Sequence, residues 1–167
     1  MMSLAEDLTP RYFQNRTLSD LDAHAKIKHA VYQIDYAQKC FAAGDFTSCK
    51  GACEEIVSLP EEGRSKAIRA KAYMLLARAE VEGVWWQRSS NAQHALECWD
   101  LVIERDSSAH SRFPIDQALK YRIEAEKMYK EAQRAGVDIA AACAERSRFF
   151  QATSSQGLKN KTSATLL

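Results

Sequence analysis

Three of the five cysteines lie close together in the chain, on either side of a Gly-Asp-Phe sequence. Cys40, Cys49 and Cys53 are the residues whose type could do chemistry, because thiolates bind zinc and act as nucleophiles. A zinc site would need a fourth ligand, and His94 and Cys98, which are four residues apart, could supply a pair. Zinc motifs usually contain a Cys-x-x-Cys sequence, however, and this chain has none. We therefore expect the three cysteines to pack in the core, where free cysteine is commonly found.

Other catalytic patterns are also missing from the sequence. It contains no glycine-rich phosphate loop and no His-Glu-x-x-His zinc motif. No signature links a cysteine to His24, His29, His94 or His110 as a base, and we expect these histidines on solvated helix faces or in loops. The sequence therefore predicts a protein that is not an enzyme and that uses no metal or other cofactor. A metal-dependent or thiol-dependent regulator or enzyme that uses the cysteine cluster is the alternative.

Charge and composition favour a helical protein with no bulk electrostatic preference. Lys and Arg number 23 against 22 for Asp and Glu, so the net charge is +1 and no overall field attracts nucleic acid or an anionic membrane. Hydrophobic residues are 46% of the chain, with only 6 Gly and 3 Pro, which is typical of a packed helical protein.

Targeting and redox features favour an intracellular location, cytoplasmic or nuclear. No apolar run approaches the roughly 18 residues of a membrane span. The first residues lack the basic start and apolar centre of a signal peptide. An odd number of cysteines at uneven spacing fits a reducing compartment. We expect neither specific nucleic-acid binding nor membrane binding.

Apolar residues recur at helical spacing through the first half of the chain. Ser19 is a candidate N-cap for a helix that ends at Gly44. Asp45 can cap a second helix, which Pro60 ends. The turn between them is too short for anything but an antiparallel hairpin. A third helix, rich in Ala and Leu, is predicted over residues 65–83.

Three more helices are predicted in the second half. Ser90 and Gln93 form a capping box at the start of the fourth helix. Pro114 suits the first position of a fifth helix, which runs to Gly136. Asp138 then starts a sixth helix that includes the Phe149-Phe150 pair. These six helices predict three consecutive antiparallel hairpins.

The domain organisation follows from this pattern. Residues 1–18 form an N-terminal extension, residues 19–150 a single all-α domain, and residues 151–167 a flexible C-terminal tail. The tail has too little apolar surface to offset the entropy lost on ordering.

The first hairpin resembles a tetratricopeptide repeat. Ala37 lies in the middle of its first helix, Gly44-Asp45-Phe46 forms its turn, and Cys49 follows Ala37 by twelve residues. In that family both positions need a small residue, because the two helices of a repeat touch there. The resemblance extends over about residues 27 to 150 and implies a superhelical array of hairpins. A compact helical bundle is the alternative fold.

The second and third hairpins match the repeat less closely. Ala77 and Ala95 fit the two small positions of the second hairpin, but eighteen residues separate them instead of twelve. The additional residues, which include Trp85 and Trp86, are expected to bulge from the turn. The third hairpin keeps a small residue, Ala125, but lacks the Gly-aromatic turn.

The resemblance also implies a binding surface, because the first helix of each repeat lines a concave groove that accepts an extended or helical peptide. Matching the small residues places eleven side chains in this groove: Val31, Ile34, Gln38, Phe41, Lys71, Met74, Arg78, Leu119, Arg122, Glu126 and Tyr129. The groove would combine apolar residues with a basic centre, so its ligand would carry apolar anchors beside an acidic residue.

The two adjacent tryptophans suggest a second interface. One of Trp85 and Trp86 can close the end of the hairpin, while the other can anchor a partner together with Arg88, since Trp and Arg dominate binding hot spots. Packing of both tryptophans within the domain is the alternative. The resulting interpretation is an adaptor or complex subunit that binds a peptide or helix of another protein. A helical homo-oligomer whose partner is itself is a further alternative.

Removing residues 151–167 is expected to leave the melting temperature nearly unchanged, because this segment has few apolar side chains with which to dock on the domain. Thermal unfolding of the truncated and full-length chains, followed by circular dichroism, measures the difference. A large fall in the melting temperature would show that the segment is part of the folded core.

Overall fold

The structure, a computed structural model, describes residues 23–59, 65–106 and 113–162, which are almost entirely helical. These ranges contain no β-strand, so the all-α class predicted from the sequence is confirmed. The helices are α1 (Ala23–Ala42), α2 (Phe46–Ser58), α3 (Lys66–Leu76), α4 (Trp85–Asp106) and α5 (Ile115–Thr162). Two expectations lie outside the described residues, namely the extension at 1–18 and the cap at Ser19. The second helix ends at Ser58, with Leu59 as its C-cap directly before Pro60.

The turn between α1 and α2 follows from local backbone chemistry. Gly44 has a φ of 78°, a left-handed conformation that side chains disfavour. The backbone N–H of Asp45 donates to the carbonyl of Cys40 at 2.9 Å, which closes the end of α1. The Asp45 carboxylate accepts from the backbone N–H of Ser48 at 3.1 Å and caps α2. The predicted turn and cap are therefore confirmed.

The boundary between α3 and α4 differs from the prediction. α3 ends at Leu76 rather than at Gly83, and α4 begins at Trp85, so the predicted capping residue Ser90 lies inside α4. The carboxylate that serves the start of α4 belongs to Glu82, which accepts from the backbone N–H of Val84 at 3.2 Å. Glu82 thus connects the segment between α3 and α4 to α2 through Lys50 and to the start of α4 through Val84.

The predicted break at Gly136 is wrong, because α5 is one continuous helix from Ile115 to Thr162. A fifth and a sixth helix are therefore not separated, and no third hairpin forms there. A Cβ atom at Gly136 would lie 2.7 Å from the Trp85 ring, so glycine makes room for that indole. A glycine inside a helix costs about 1 kcal/mol relative to alanine, and the packing of the large indole offsets this cost.

The last helix extends past residue 150, where the sequence placed the end of the domain. Helical backbone continues through Thr162, within the segment expected to be a flexible tail. The side chains of residues 137–151 are exposed. Residues 163–167 lie outside the described part of the chain.

Two clusters of buried side chains form the core. The first joins α1, α2 and α3 and includes Ile34, Ala37, Cys49, Cys53 and Ile56. The second joins α3, α4 and α5 and includes Met74, Ala92, Trp99, Ala125 and Met128. Because α3 supplies residues to both clusters, it is the central helix of the fold.

The helices pack largely in chain order. α1 packs on α2 and on α3, and α2 packs on α3. α3 packs on α4 and makes a smaller contact with α5. The most extensive contact of α4 is with α5. Among the described residues, no comparable contact joins α1 to α5, so the array does not close on itself.

Two glycine substitutions should have opposite effects on stability. Gly136→Ala is expected to lower the free energy of unfolding by about 1 to 3 kcal/mol, because the added methyl group meets the Trp85 ring. Gly51→Ala is the matched control: Gly51 also lies in a helix, but its Cβ would have no atom within 4 Å. It should raise the free energy of unfolding by up to about 1 kcal/mol. Urea unfolding measures both, and an equal stabilisation by the two variants would contradict the contact.

Candidate functional site

The cysteine cluster is part of the core, as the sequence predicts. Cys40, Cys49 and Cys53 are buried between α1, α2 and α3. Burial raises the pKa of both the Cys49 and the Cys53 thiol, so these side chains stay protonated at neutral pH. Cys98 is buried in the other cluster, whereas Cys143 is exposed on α5. The geometry therefore gives these buried thiols a packing role rather than the reactivity of a nucleophile.

The histidines do not complete a site around the thiols. His94 is exposed on α4, with its ring centroid 5.1 Å from that of Tyr73. In the described part of the chain, no three His, Cys, Asp or Glu residues are grouped so that they could hold a metal ion. His110 and the side chain of His24 lie outside the described residues.

His29 corrects the expectation that the histidines are solvated. Its side chain is buried, and Nε2 lies 2.8 Å from a carboxylate oxygen of Glu55. The other oxygen of Glu55 accepts from the Gln33 amide at 2.7 Å. This network connects α1 to α2, so His29 has a structural partner rather than a thiol to activate.

The α1 residues predicted for the groove differ in accessibility. Ile34 is buried in the first core cluster, and Phe41 is half-buried against Phe46, with ring centroids 5.6 Å apart. Gln38 is exposed, as is Val31 two turns earlier. A partner at this helix can therefore reach Val31 and Gln38, while Ile34 belongs to the core.

The α3 residues predicted for the groove are occupied by contacts within the chain. Met74 is buried, and its sulfur accepts from the indole N–H of Trp99 at 3.2 Å. Lys71 Nζ lies 5.5 Å from the ring centroid of Phe113 and 5.6 Å from that of Tyr121. These are cation–π distances. Lys71 thus connects α3 to the start of α5 through these two contacts.

Arg78 and Arg122 also have partners within the chain. Arg78 donates to Glu124 of α5 at 2.6 Å, and Arg122 donates to Asp100 of α4 at 2.6 Å. Since Arg122 and Glu124 are two residues apart on α5, they project from different faces of that helix. The structure therefore does not bring Arg78 and Arg122 into one basic surface.

The remaining α5 candidates lie near Arg122. Glu126 is half-buried, 3.7 Å from Arg122, and accepts from Lys130 at 2.6 Å. Tyr129 is half-buried against the second core cluster, whereas Leu119 is exposed. Glu126 thus belongs to a local ion-pair network on α5.

The two adjacent tryptophans have different environments. They lie in the first turn of α4 rather than in an inserted loop. Trp85 is half-buried against Gly136, while Trp86 is 56% exposed. Arg88 donates from Nε to the carbonyl of Ala77 at 3.4 Å. Trp86 is therefore the tryptophan that a partner can reach.

One surface feature was not predicted from the sequence. Glu82 is buried and accepts from Lys50 Nζ at 2.7 Å, which ties the segment before α4 to α2. The Gln87 amide, with its nitrogen turned toward Glu82, donates to both carboxylate oxygens at 2.8 and 3.0 Å. A depression lies beside this network. Helical periodicity in the sequence does not predict this ion pair, because Lys50 and Glu82 lie far apart in the chain.

Comparison of the chain with protein-family models, with curated proteins and with solved structures finds no match. Among the described residues, no helix combines the length and the apolar character needed to cross a membrane. The function must therefore be inferred from the residues and contacts of this chain.

The environments of the cysteines predict a selective labelling pattern. In the folded protein, iodoacetamide at mildly alkaline pH should modify Cys143, while Cys40, Cys49, Cys53 and Cys98 are protected by burial. Mass spectrometry of peptides from native and urea-unfolded samples measures the modification at each position. Rapid modification of Cys49 or Cys53 in the folded protein would instead indicate a reactive thiol.

Proposed function

We propose that this chain is an adaptor or complex subunit that binds another protein through an open, tetratricopeptide-like array of helical hairpins. The packing order of the helices carries this proposal. Each helix packs on the next, and α3 also contacts both α1 and α5. First helices of successive repeats contact each other in the same way in the tetratricopeptide family. A closed bundle would instead need an extensive contact between the first and last helices.

Side-chain contacts support the hairpin arrangement of α1 and α2. His29, early in α1, contacts Glu55, late in α2, while Phe41 near the end of α1 contacts Phe46 at the start of α2. Such pairing requires the two helices to run in opposite directions.

The small residues behind the resemblance support it as well. Ala37 and Cys49 are fully buried in the first core cluster, and Ala95 and Ala125 are fully buried in the second. Ala77 is also buried, just beyond the end of α3. Small side chains at these positions allow neighbouring helices to approach closely, as the repeat requires.

The accessible part of the proposed groove lies on α1. Val31 and Gln38 are exposed two turns apart, while neighbouring Ile34 packs in the core cluster that α1 shares with α3. Val31 is 43% exposed, so an apolar side chain of a partner can cover it. We place the partner contact along this edge of α1.

The chemistry of the ligand follows from the internal pairing of the cations. Arg78 and Arg122 each donate to a carboxylate of the chain, and Lys71 lies over two aromatic rings. An acidic ligand would have to displace these contacts and would gain little. We therefore propose a helix or extended segment with apolar anchors, without the acidic residue expected from the sequence.

Site-specific photocrosslinking tests this function. A photoreactive benzophenone amino acid in place of Val31 or Gln38 should crosslink one discrete partner in the native cell, which mass spectrometry then identifies. The control is the same amino acid in place of Arg134, which is exposed on α5 between the buried residues Ala132 and Gly136.

Two outcomes would contradict the adaptor proposal. Crosslinks from Val31 and Gln38 to a second copy of this chain alone would indicate a homo-oligomer. Equal yields of the same products from the Arg134 position would indicate random collision rather than a binding surface.

A further inference from the structure

A depression of about 310 Å³ lies between α2 and the first turns of α4. Val57, Leu76 and Trp86 provide its apolar wall. A second depression, of about 410 Å³, adjoins it and shares Lys50 and Glu54 with it. We call this combined surface the α2–α4 groove. Its position differs from that of the partner contact proposed on α1, so each can be tested without the other.

The α2–α4 groove has an excess of acidic groups. Lys50 is the one basic residue among the described residues that line it, and Lys50 is already bound to Glu82. Burial acts to raise the pKa of Glu82, but hydrogen bonds from Lys50 and Val84 outweigh burial and hold that pKa below its usual value. The pair therefore stays ionised at neutral pH.

Two further carboxylates of the groove are accessible to a ligand. Glu54 lines both depressions and Glu80 lines the second one, and both side chains are exposed. Neither lies within ion-pair distance of a basic side chain among the described residues, although the charge of Glu54 adds to the hydrogen bond to Glu82 in raising the pKa of Lys50. Close by, the exposed indole of Trp86 offers an aromatic surface. An indole face and unpaired carboxylates together are complementary to a cation with an apolar stem.

We propose that the α2–α4 groove binds an arginine- or lysine-bearing segment of a partner protein. The cation lies on the Trp86 ring and donates to Glu54 or Glu80, while the stem of its side chain contacts Val57. Arginine fits better than lysine, because its planar guanidinium stacks on an aromatic ring and donates to a carboxylate at the same time. An acidic segment would meet repulsion from both free carboxylates.

Binding of two short peptides tests the proposal on the full chain. The probe is fluorescein-labelled Gly-Arg-Leu-Arg-Gly, and its counterpart carries Glu at both Arg positions. Fluorescence anisotropy should show saturable binding of the arginine peptide, weakening as salt rises, and no binding of the glutamate peptide. Trp86→Ala should weaken binding by about tenfold or more, since it removes the aromatic anchor.

A matched pair of charge variants locates the site. Glu54→Gln should weaken binding of the arginine peptide by about fivefold, which is near the upper limit for one exposed ion pair. Asp138→Asn removes the same charge from an exposed position on α5 and should leave binding unchanged. Trp86 and Glu54 are both accessible, so we expect the variants to fold, which circular dichroism checks.

Several results would overturn the proposal. Equal weakening by Glu54→Gln and Asp138→Asn, or equal binding of the two peptides, would mean that only the bulk charge or the label matters. Light scattering tests the other possible occupant, a second copy of this chain. If the protein without peptide is a dimer and Trp86→Ala converts it to a monomer, a second copy fills the groove. Full binding by the Trp86→Ala variant would exclude the aromatic contact.

Discussion

The burial of α3 on both sides is the constraint on which the rest of the structure depends. No residue of this helix is fully exposed, and its Ala67 and Ala70 belong to one core cluster while Ala72 belongs to the other. Alanine lets helices approach closely from two directions, and it also favours the helix itself. Because so little side-chain volume is available, larger residues from neighbouring helices, such as Trp99, must fill the space. The order of packing along the chain follows from this central helix.

Local chemistry explains what the sequence predicted well, and distant contacts explain what it did not. The α1–α2 turn depends on Gly44 and Asp45, which act on backbone atoms within a few residues, so it was predictable. The continuity of α5 was not, because the role of Gly136 is set by Trp85, far earlier in the chain. A glycine can end a helix or admit a bulky neighbour, and sequence spacing alone does not separate these roles.

The candidate site was predictable to a similar extent. The burial of Cys40, Cys49 and Cys53 followed from their apolar spacing. The pairing of the cations was not predictable, because Arg78 and Arg122 bind Glu124 and Asp100 on neighbouring helices. Helical periodicity gives the face on which a charged residue lies, but it does not give the partner across the helix contact. An unpaired charge is therefore a stronger indication of a binding surface than charge alone.

The presence or absence of unpaired charges distinguishes the edge of α1 from the α2–α4 groove by the kind of partner that each is proposed to accept. At the edge of α1, the exposed Val31 supplies apolar area that a partner at the proposed contact would cover. In the α2–α4 groove, the partly exposed Lys50 binds the buried Glu82 and ties the segment before α4 to α2, while Glu54 and Glu80 have no basic side chain within ion-pair distance among the described residues. A surface that already has its bound geometry loses less entropy when it binds a cation. A single partner with an apolar helix and a basic flanking segment could contact both surfaces, and linking the two contacts would raise the overall affinity provided that the linker spans the distance between them.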